Sequence, residues 1–184
     1  MGVGYGSRTR GRLRRRGCGG GPRDDGSFEQ FAERALPRLL RTAWLLTGDA
    51  ARAEDAAQEA LVRVYVVWPR VRLEEPEAYC HRVLRNHVVS QWRRDRRLVL
   101  VEEVRDQPRP ADGTSGDRVD LVRALQALPQ REREVVVLRH YADLSERAVA
   151  DLLGVSVGTV KSSSSRGLER LRALIDDKGE ARVQ

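Results

Sequence analysis

Aromatic residues make up only 5% of this 184-residue chain, cysteines number two, and no apolar run approaches the roughly 20 residues of a membrane-spanning helix. Scarce rings in a chain that is one-third charged fit polar-surfaced helical units. Cys18 and Cys80 stand far apart and the three histidines are scattered, so no metal-ligand spacing exists. Cys80 and His81 are neighbours that point to different sides of a helix, which argues against a catalytic pair. Cys80 reads as a buried, inert thiol in a reducing, cytoplasmic setting. Glycine-rich phosphate loops, nucleophile elbows and internal repeats are all absent. The expectation is a non-enzyme without metal or cofactor.

Charge is present, but unevenly. Of the net +7, residues 1–25 supply +5 through seven arginines and two aspartates, which leaves the remainder at +2. Nucleic-acid binding therefore has to be argued from local patches. Residues 1–27 have almost no apolar content and are expected to be a disordered Arg/Gly-rich extension. The arginines lack a following hydrophobic stretch, so this is no secretory signal.

The most organised stretch is L-S-E-R-A-V-A-D-L-L-G-V-S-V-G-T-V-K-S-S-S-S-R-G-L-E-R-L-R-A-L, Leu144–Leu174. Ser145 and Ser156 sit where a hydroxyl caps a helix start, and Gly154 supplies the positive φ that ends the first helix. Ala148, Val149, Leu152 and Leu153 give that helix an apolar side. This is the helix-turn-helix pattern, whose second helix enters the major groove. At about 100° per residue, Val157, Val160, Leu168, Leu171 and Ile175 cluster on one side of the second helix. Thr159, Ser162, Ser163, Arg166 and Arg170 fall opposite, where short polar groups and arginines suit base edges and phosphates. Lys161 is better placed for a phosphate, and Ser164 falls inside the apolar stripe. Taken alone, this segment fits a solvated bundle helix equally well.

Upstream, Phe28 to Thr47 carries helical spacing that Pro37 should break or kink. Thr47-Gly48-Asp49 punctuates it, with glycine as C-cap and aspartate as the next N-cap. From Ala50 to Trp68, Ala53, Ala56, Ala57, Ala60, Leu61, Val64, Val67 and Trp68 form a core side. The opposite side combines Asp55, Gln58, Glu59, Val62 and Val66, an arrangement suited to docking on another protein. Solvated charges beside a widened core stripe are the plain alternative. Pro76 opens a third helix to about Arg97. Its apolar face is Cys80, Val83, Leu84, His87 and Val88, with Arg82, Asn86, Arg93 and Arg97 diametrically opposite. It ends as Q-W-R-R-D-R-R, where Trp92 among Arg93, Arg94 and Arg97 suits unstacked bases and their phosphates. Residues 99–118 lose periodicity and read as a linker. A second domain follows over 119–176, with residues 177–184 expected to fray. The fold class is all-α, two small helical domains (28–98 and 119–176) joined by a flexible linker.

In order, L-T-G-D at Leu46–Asp49, A-E-D-A-A-Q-E-A-L at Ala53–Leu61, R-V-L-R-N-H at Arg82–His87 and W-R-R-D-R-R at Trp92–Arg97 resemble the sigma-70 family of bacterial transcription initiation factors. L-P-Q-R-E-R-E-V-V-V-L-R at Leu128–Arg139 and L-S-E-R-A-V-A-D-L-L-G-V-S-V-G-T-V-K-S at Leu144–Ser162 continue the match. It is similar to the small extracytoplasmic-function (ECF) type that keeps regions 2 and 4, with an actinobacterial flavour. The resemblance implies that Asp55, Gln58, Glu59 and Val62 dock on the clamp coiled coil of the largest RNA polymerase subunit. It implies that Arg82, Asn86, Trp92, Arg93, Arg94 and Arg97 melt and hold the −10 element of promoter DNA. It further implies that Ser156, Thr159, Lys161, Ser162, Ser163 and Arg166 read the −35 element as duplex. The acidic linker (Glu102, Glu103, Asp106, Asp112) would thread polymerase channels, and an anti-sigma factor is a further expected partner. Ser163-Ser164 departs from the bulkier residue that the family more often carries. A stand-alone dimeric regulator would need a dimer domain, and an enzyme using Asp55 and Glu59 would need a cofactor partner. Residues 28–143 contain neither.

Overall fold

The computed structural model describes residues 25–71, 75–98 and 116–181, and all regular structure among them is helical. Helix α1 (Asp25–Thr47) is continuous through Pro37. Glu33, whose carbonyl Pro37 cannot bond, shares the exposed side with the proline, so water can take the freed acceptor. Gly48 stops α1 with a φ of +74°, and its amide donates to the Trp44 carbonyl at 2.7 Å. Asp49 then caps α2 (Ala50–Val71), its Oδ1 accepting from the Arg52 amide at 2.8 Å. Helix α3 (Pro76–Leu98) closes the first unit. Its core is built on the expected alanines of α2 with Leu39, Leu46, Val64 and Leu84, and ends in a ring cluster of Phe28, Phe31, Tyr65 and Trp68.

The second unit begins with α4 (Gly116–Ala127), three residues earlier than the pattern suggests, and α5 (Gln130–Val136). After Val136 the helix loosens into a π turn, Val137–Tyr141. Helices α6 (Glu146–Leu153) and α7 (Val157–Ala181) form the helix-turn-helix. Its caps match the sequence: Ser145 Oγ accepts from the Ala148 amide, Ser156 Oγ from the Thr159 amide, both at 3.1 Å, and Gly154 has φ +65°. α7 continues past Asp176, where fraying is expected, to Ala181. Val135, Leu138, Val149, Leu152, Leu153 and Val160 make the local core of this motif.

The two units share a core. Val122, Leu125, Leu128, Val136 and Val137 of the second are buried together with the first. Helix α3 packs on both α1 and α2, which widens its buried side beyond the stripe its sequence predicts. His81 and Val89 are buried, while His87, expected in the apolar face, is only half-buried at its edge. Burial, then the charge of Arg38, lowers the His81 pKa to about 4, so it sits neutral in the interior. Burial pushes the Cys80 thiol up to about 12, with Glu77 adding to the effect, which leaves it unreactive.

Candidate nucleic-acid and polymerase interfaces

On α2, the alanine side faces inward, and Asp55, Gln58, Val62 and Val66 face outward. Val62 and Val66 are 59% and 73% exposed, far more than a widened core stripe would leave them. The carboxylates are not bare. Asp55 Oδ2 accepts from Gln91 Nε2 at 2.9 Å and pairs with His87 Nε2 at 2.8 Å, tying α2 to α3. Glu59, half-buried, pairs with Arg63 at 2.6 Å one turn on. The result is an apolar strip bordered by oriented acids and an amide.

On α3, Arg82, Asn86 and Arg93 are exposed, as their spacing predicts, and Arg94 is exposed as well. Arg97 lies on the helix, but its side chain falls outside the described residues. Trp92 does not stand open. It packs against the shared core, and the Arg133 guanidinium of α5 lies 5.5 Å from its ring centroid, within cation–π range. Arg85, one turn before Val89, pairs with the buried Glu134 at 3.3 Å. Arg85, Val89, Trp92, Arg93, Arg131 and Glu134 line a cavity of about 350 Å³ between α3 and α5.

On α7, Ser156, Thr159, Lys161, Ser162 and Arg166 are exposed, but Ser163 is not: it is 2% exposed. The buried stripe runs Val160, Ser163, Gly167, with Leu171 and Leu174 half-buried, while Val157 and Ile175 are largely exposed. The helix is thus turned by about 60° from the phase that hydrophobicity predicts, taking 100° per residue. The cause is size. Gly167 lies so close to α5 that a Cβ there would stand 2.7 Å from Val136 Cγ2 and 3.4 Å from the Glu132 carbonyl. Small residues let two helices approach, yet they carry no hydrophobic signal. The turn removes Ser163 from the readable surface and brings Ser165 onto it. Ser164 is half-buried at the edge, with its Oγ 2.8 Å from His140 Nε2.

Sequence reading missed two acids. Glu132 and Glu134 of R-E-R-E are buried on α5. Glu132 faces Arg166 at 3.7 Å and Arg170 at 3.5 Å, and Glu134 takes Arg85 and, at 3.7 Å, Arg131. Lys161 likewise lies 3.7 Å from Glu146. Lys161 and Arg166, both expected on DNA, thus each pair with a carboxylate of the chain itself. The available signal was angular: Glu132 lies only about 60° from Val135 on the helical wheel.

Two family models match the chain in this order: Sigma-70 region 2 over residues 31–98 and Sigma-70, region 4, over residues 118–171. The chain belongs to the sigma-70 family. The RNA polymerase sigma-E factor of Streptomyces coelicolor is 38% identical over 149 residues, covering 79% of this chain and 84% of that protein. The ECF RNA polymerase sigma factor SigL of Mycobacterium tuberculosis is 31% identical over 170 residues, covering 82% and 95% respectively. Among solved structures, the sigma factor RpoE in complex with the anti-sigma factor NepR from Bartonella quintana matches with a TM-score of 0.72. It is 29% identical, with 82% of this chain and 97% of that one covered. This sigma factor is of the ECF type and acts in promoter-specific transcription initiation, with RNA polymerase and promoter DNA as its partners. Among the described residues no cluster of metal-ligating side chains exists, and no helix is long and apolar enough to cross a membrane.

Proposed function

We propose a division of labour within this sigma factor: α2 docks on polymerase, α3 opens and holds the −10 element, and α7 reads the −35 element as duplex. The observation that carries it is the separation of three chemically distinct surfaces on two helical units. The α2 strip of Val62 and Val66, bordered by Asp55, Gln58 and Glu59, suits a protein partner, and we assign it to the clamp coiled coil of the largest polymerase subunit. Trp92 with Arg82, Asn86, Arg93, Arg94 and Arg97 suits single-stranded DNA, since rings stack on unpaired bases and guanidiniums follow the backbone. The first turns of α7 suit the major groove. There Ser156, Thr159 and Ser162 offer hydroxyls to base edges, while Lys161 and Arg166 reach phosphates.

In this reading residues 28–98 and 116–176 are the two working domains, residues 99–115 connect them, and the chain itself carries no catalytic chemistry. It works in the cytoplasm, where polymerase is. The likeness to a sigma factor solved with an anti-sigma factor supports a partner of that kind here. The test uses the purified chain with bacterial core polymerase. Wild type should form a stable complex, and permanganate should find reactive thymines in the −10 region. Trp92→Ala with Arg93→Ala should bind core normally yet leave those thymines unreactive. Base stacking of about 1–3 kcal/mol is enough to slow opening visibly. Full reactivity in the double variant would overturn the assignment of α3.

A further inference from the structure

Of the two acids on the α2 strip, only Asp55 is braced by a neighbouring helix among the described residues. Its Oδ2 meets two groups of α3: His87 Nε2 at 2.8 Å, and Gln91 Nε2, which donates at 2.9 Å. Those two nitrogens lie 2.9 Å apart, so both converge on a single carboxylate oxygen. A carboxylate only accepts, which makes His87 the donor, with a proton on Nε2. Oδ1 takes no partner among the described residues, and the Asp55 side chain stays 63% exposed while that of His87 is only 16% exposed. Glu59, by contrast, pairs with Arg63 of its own helix. One turn beyond Gln91, Asp95 binds Arg52, three residues before Asp55. His87, Gln91 and Asp95 thus recur at four-residue spacing along the edge of α3 that meets α2.

We propose that His87 and Gln91 are positioning residues for polymerase docking: they hold the Asp55 carboxylate by one oxygen and present the other to a cationic or N–H donor of the partner. The proposal rests on the reading of the α2 strip as the polymerase surface. A free aspartate on a helix surface samples several rotamers, and a partner that needs one of them must order it on binding. Here α3 has ordered it in advance. The two donors do not compete with the partner. A carboxylate offers about four lone-pair sites, and both internal bonds go to Oδ2. Packing alone does not account for the arrangement either. Burial at this edge needs only apolar groups, whereas two donors from successive turns meeting on one exposed carboxylate set its direction.

The test measures the affinity of the full chain, fluorescein-labelled at its amino terminus, for core polymerase by anisotropy. His87→Leu with Gln91→Leu removes both donors and keeps side chains that suit a helix. It should weaken core binding about three- to tenfold, the range that ordering one side chain on association represents. His87→Gln, which returns an N–H donor within reach of Oδ2, should bind within about twofold of wild type. In an Asp55→Ala background the leucine pair should have no further effect, whereas a general loss of helix packing would weaken both backgrounds alike. If Asp55→Ala alone binds core like wild type, the polymerase reading of the strip fails and the proposal with it. Three other results would overturn the positioning role and leave the docking surface standing. These are a leucine pair that binds like wild type, one that weakens binding equally without Asp55, and a His87→Gln variant no better than the leucine pair.

Discussion

Gly167→Ala sets two known effects against each other. In an open helix face the change should stabilise, since alanine exceeds glycine in helix propensity by about 1 kcal/mol. At this position the added methyl stands 2.7 Å from Val136 Cγ2 and 3.3 Å from Glu132 Cβ. Neither neighbour gives easily. Val136 is β-branched with a stiff χ1, and Glu132 is anchored by its own backbone and by Arg166 and Arg170. Relief must come from α7 moving off α5, an overpacking penalty of about 1–3 kcal/mol. The net expectation is destabilisation of about 1 kcal/mol, a fall of about 3 °C in Tm for a chain of this size. Because the same movement shifts the first turns of α7, with Thr159 and Ser162, relative to the rest of the helix-turn-helix, affinity for −35 duplex should fall as well. Urea and thermal melts of the full chain, followed by circular dichroism, read the first effect, and fluorescence anisotropy reads the second. A variant more stable than wild type would refute the close α5–α7 approach, and with it the burial of Ser163.

Two further outcomes are expected. Asp55→Lys with Glu59→Lys should abolish core polymerase binding while lowering Tm by only a few degrees, because the lost Asp55–His87 and Glu59–Arg63 pairs contribute about 0.2–1 kcal/mol each. Unchanged core affinity would remove α2 from the interface. His81, whose pKa falls from 6.5 in the open chain to about 4 in the fold, takes up its proton more readily when unfolded. Its contribution is therefore complete above pH 6.5 and is lost as pH falls toward 4. Between pH 7 and pH 5 wild type should lose about 2 kcal/mol that a His81→Gln variant does not lose. Parallel stability curves for the two would contradict the burial of a neutral imidazole.

What could be read beforehand was whatever is decided locally. Gly48, Asp49, Ser145, Gly154 and Ser156 stop and start helices through their own backbone and side chains, so the turns come out where the sequence puts them. The alanines of α2 mark its core side for the same reason. Positions decided by a distant neighbour could not be read. Ser163 and Gly167 face inward because α5 lies close, and their small size conceals this from any hydrophobic count. His81 is buried and His87 stays at the edge because α3 packs on more than one partner. Trp92 is covered by Arg133 from the other domain, some forty residues along the chain, which no local pattern encodes.

The central claim is that this sigma factor gives core polymerase a promoter, reading one element with α7 and opening another with α3. The most direct test is transcription by purified core polymerase from sheared genomic DNA, with the 5′ ends of the transcripts mapped. Wild type should yield a discrete set of start sites preceded by two shared elements at fixed spacing. Ser162→Ala with Thr159→Ala should lose or change the distal element only, and Trp92→Ala should weaken initiation at every site. Start sites that share no upstream element, or a distal element unaffected by the α7 changes, would contradict the account.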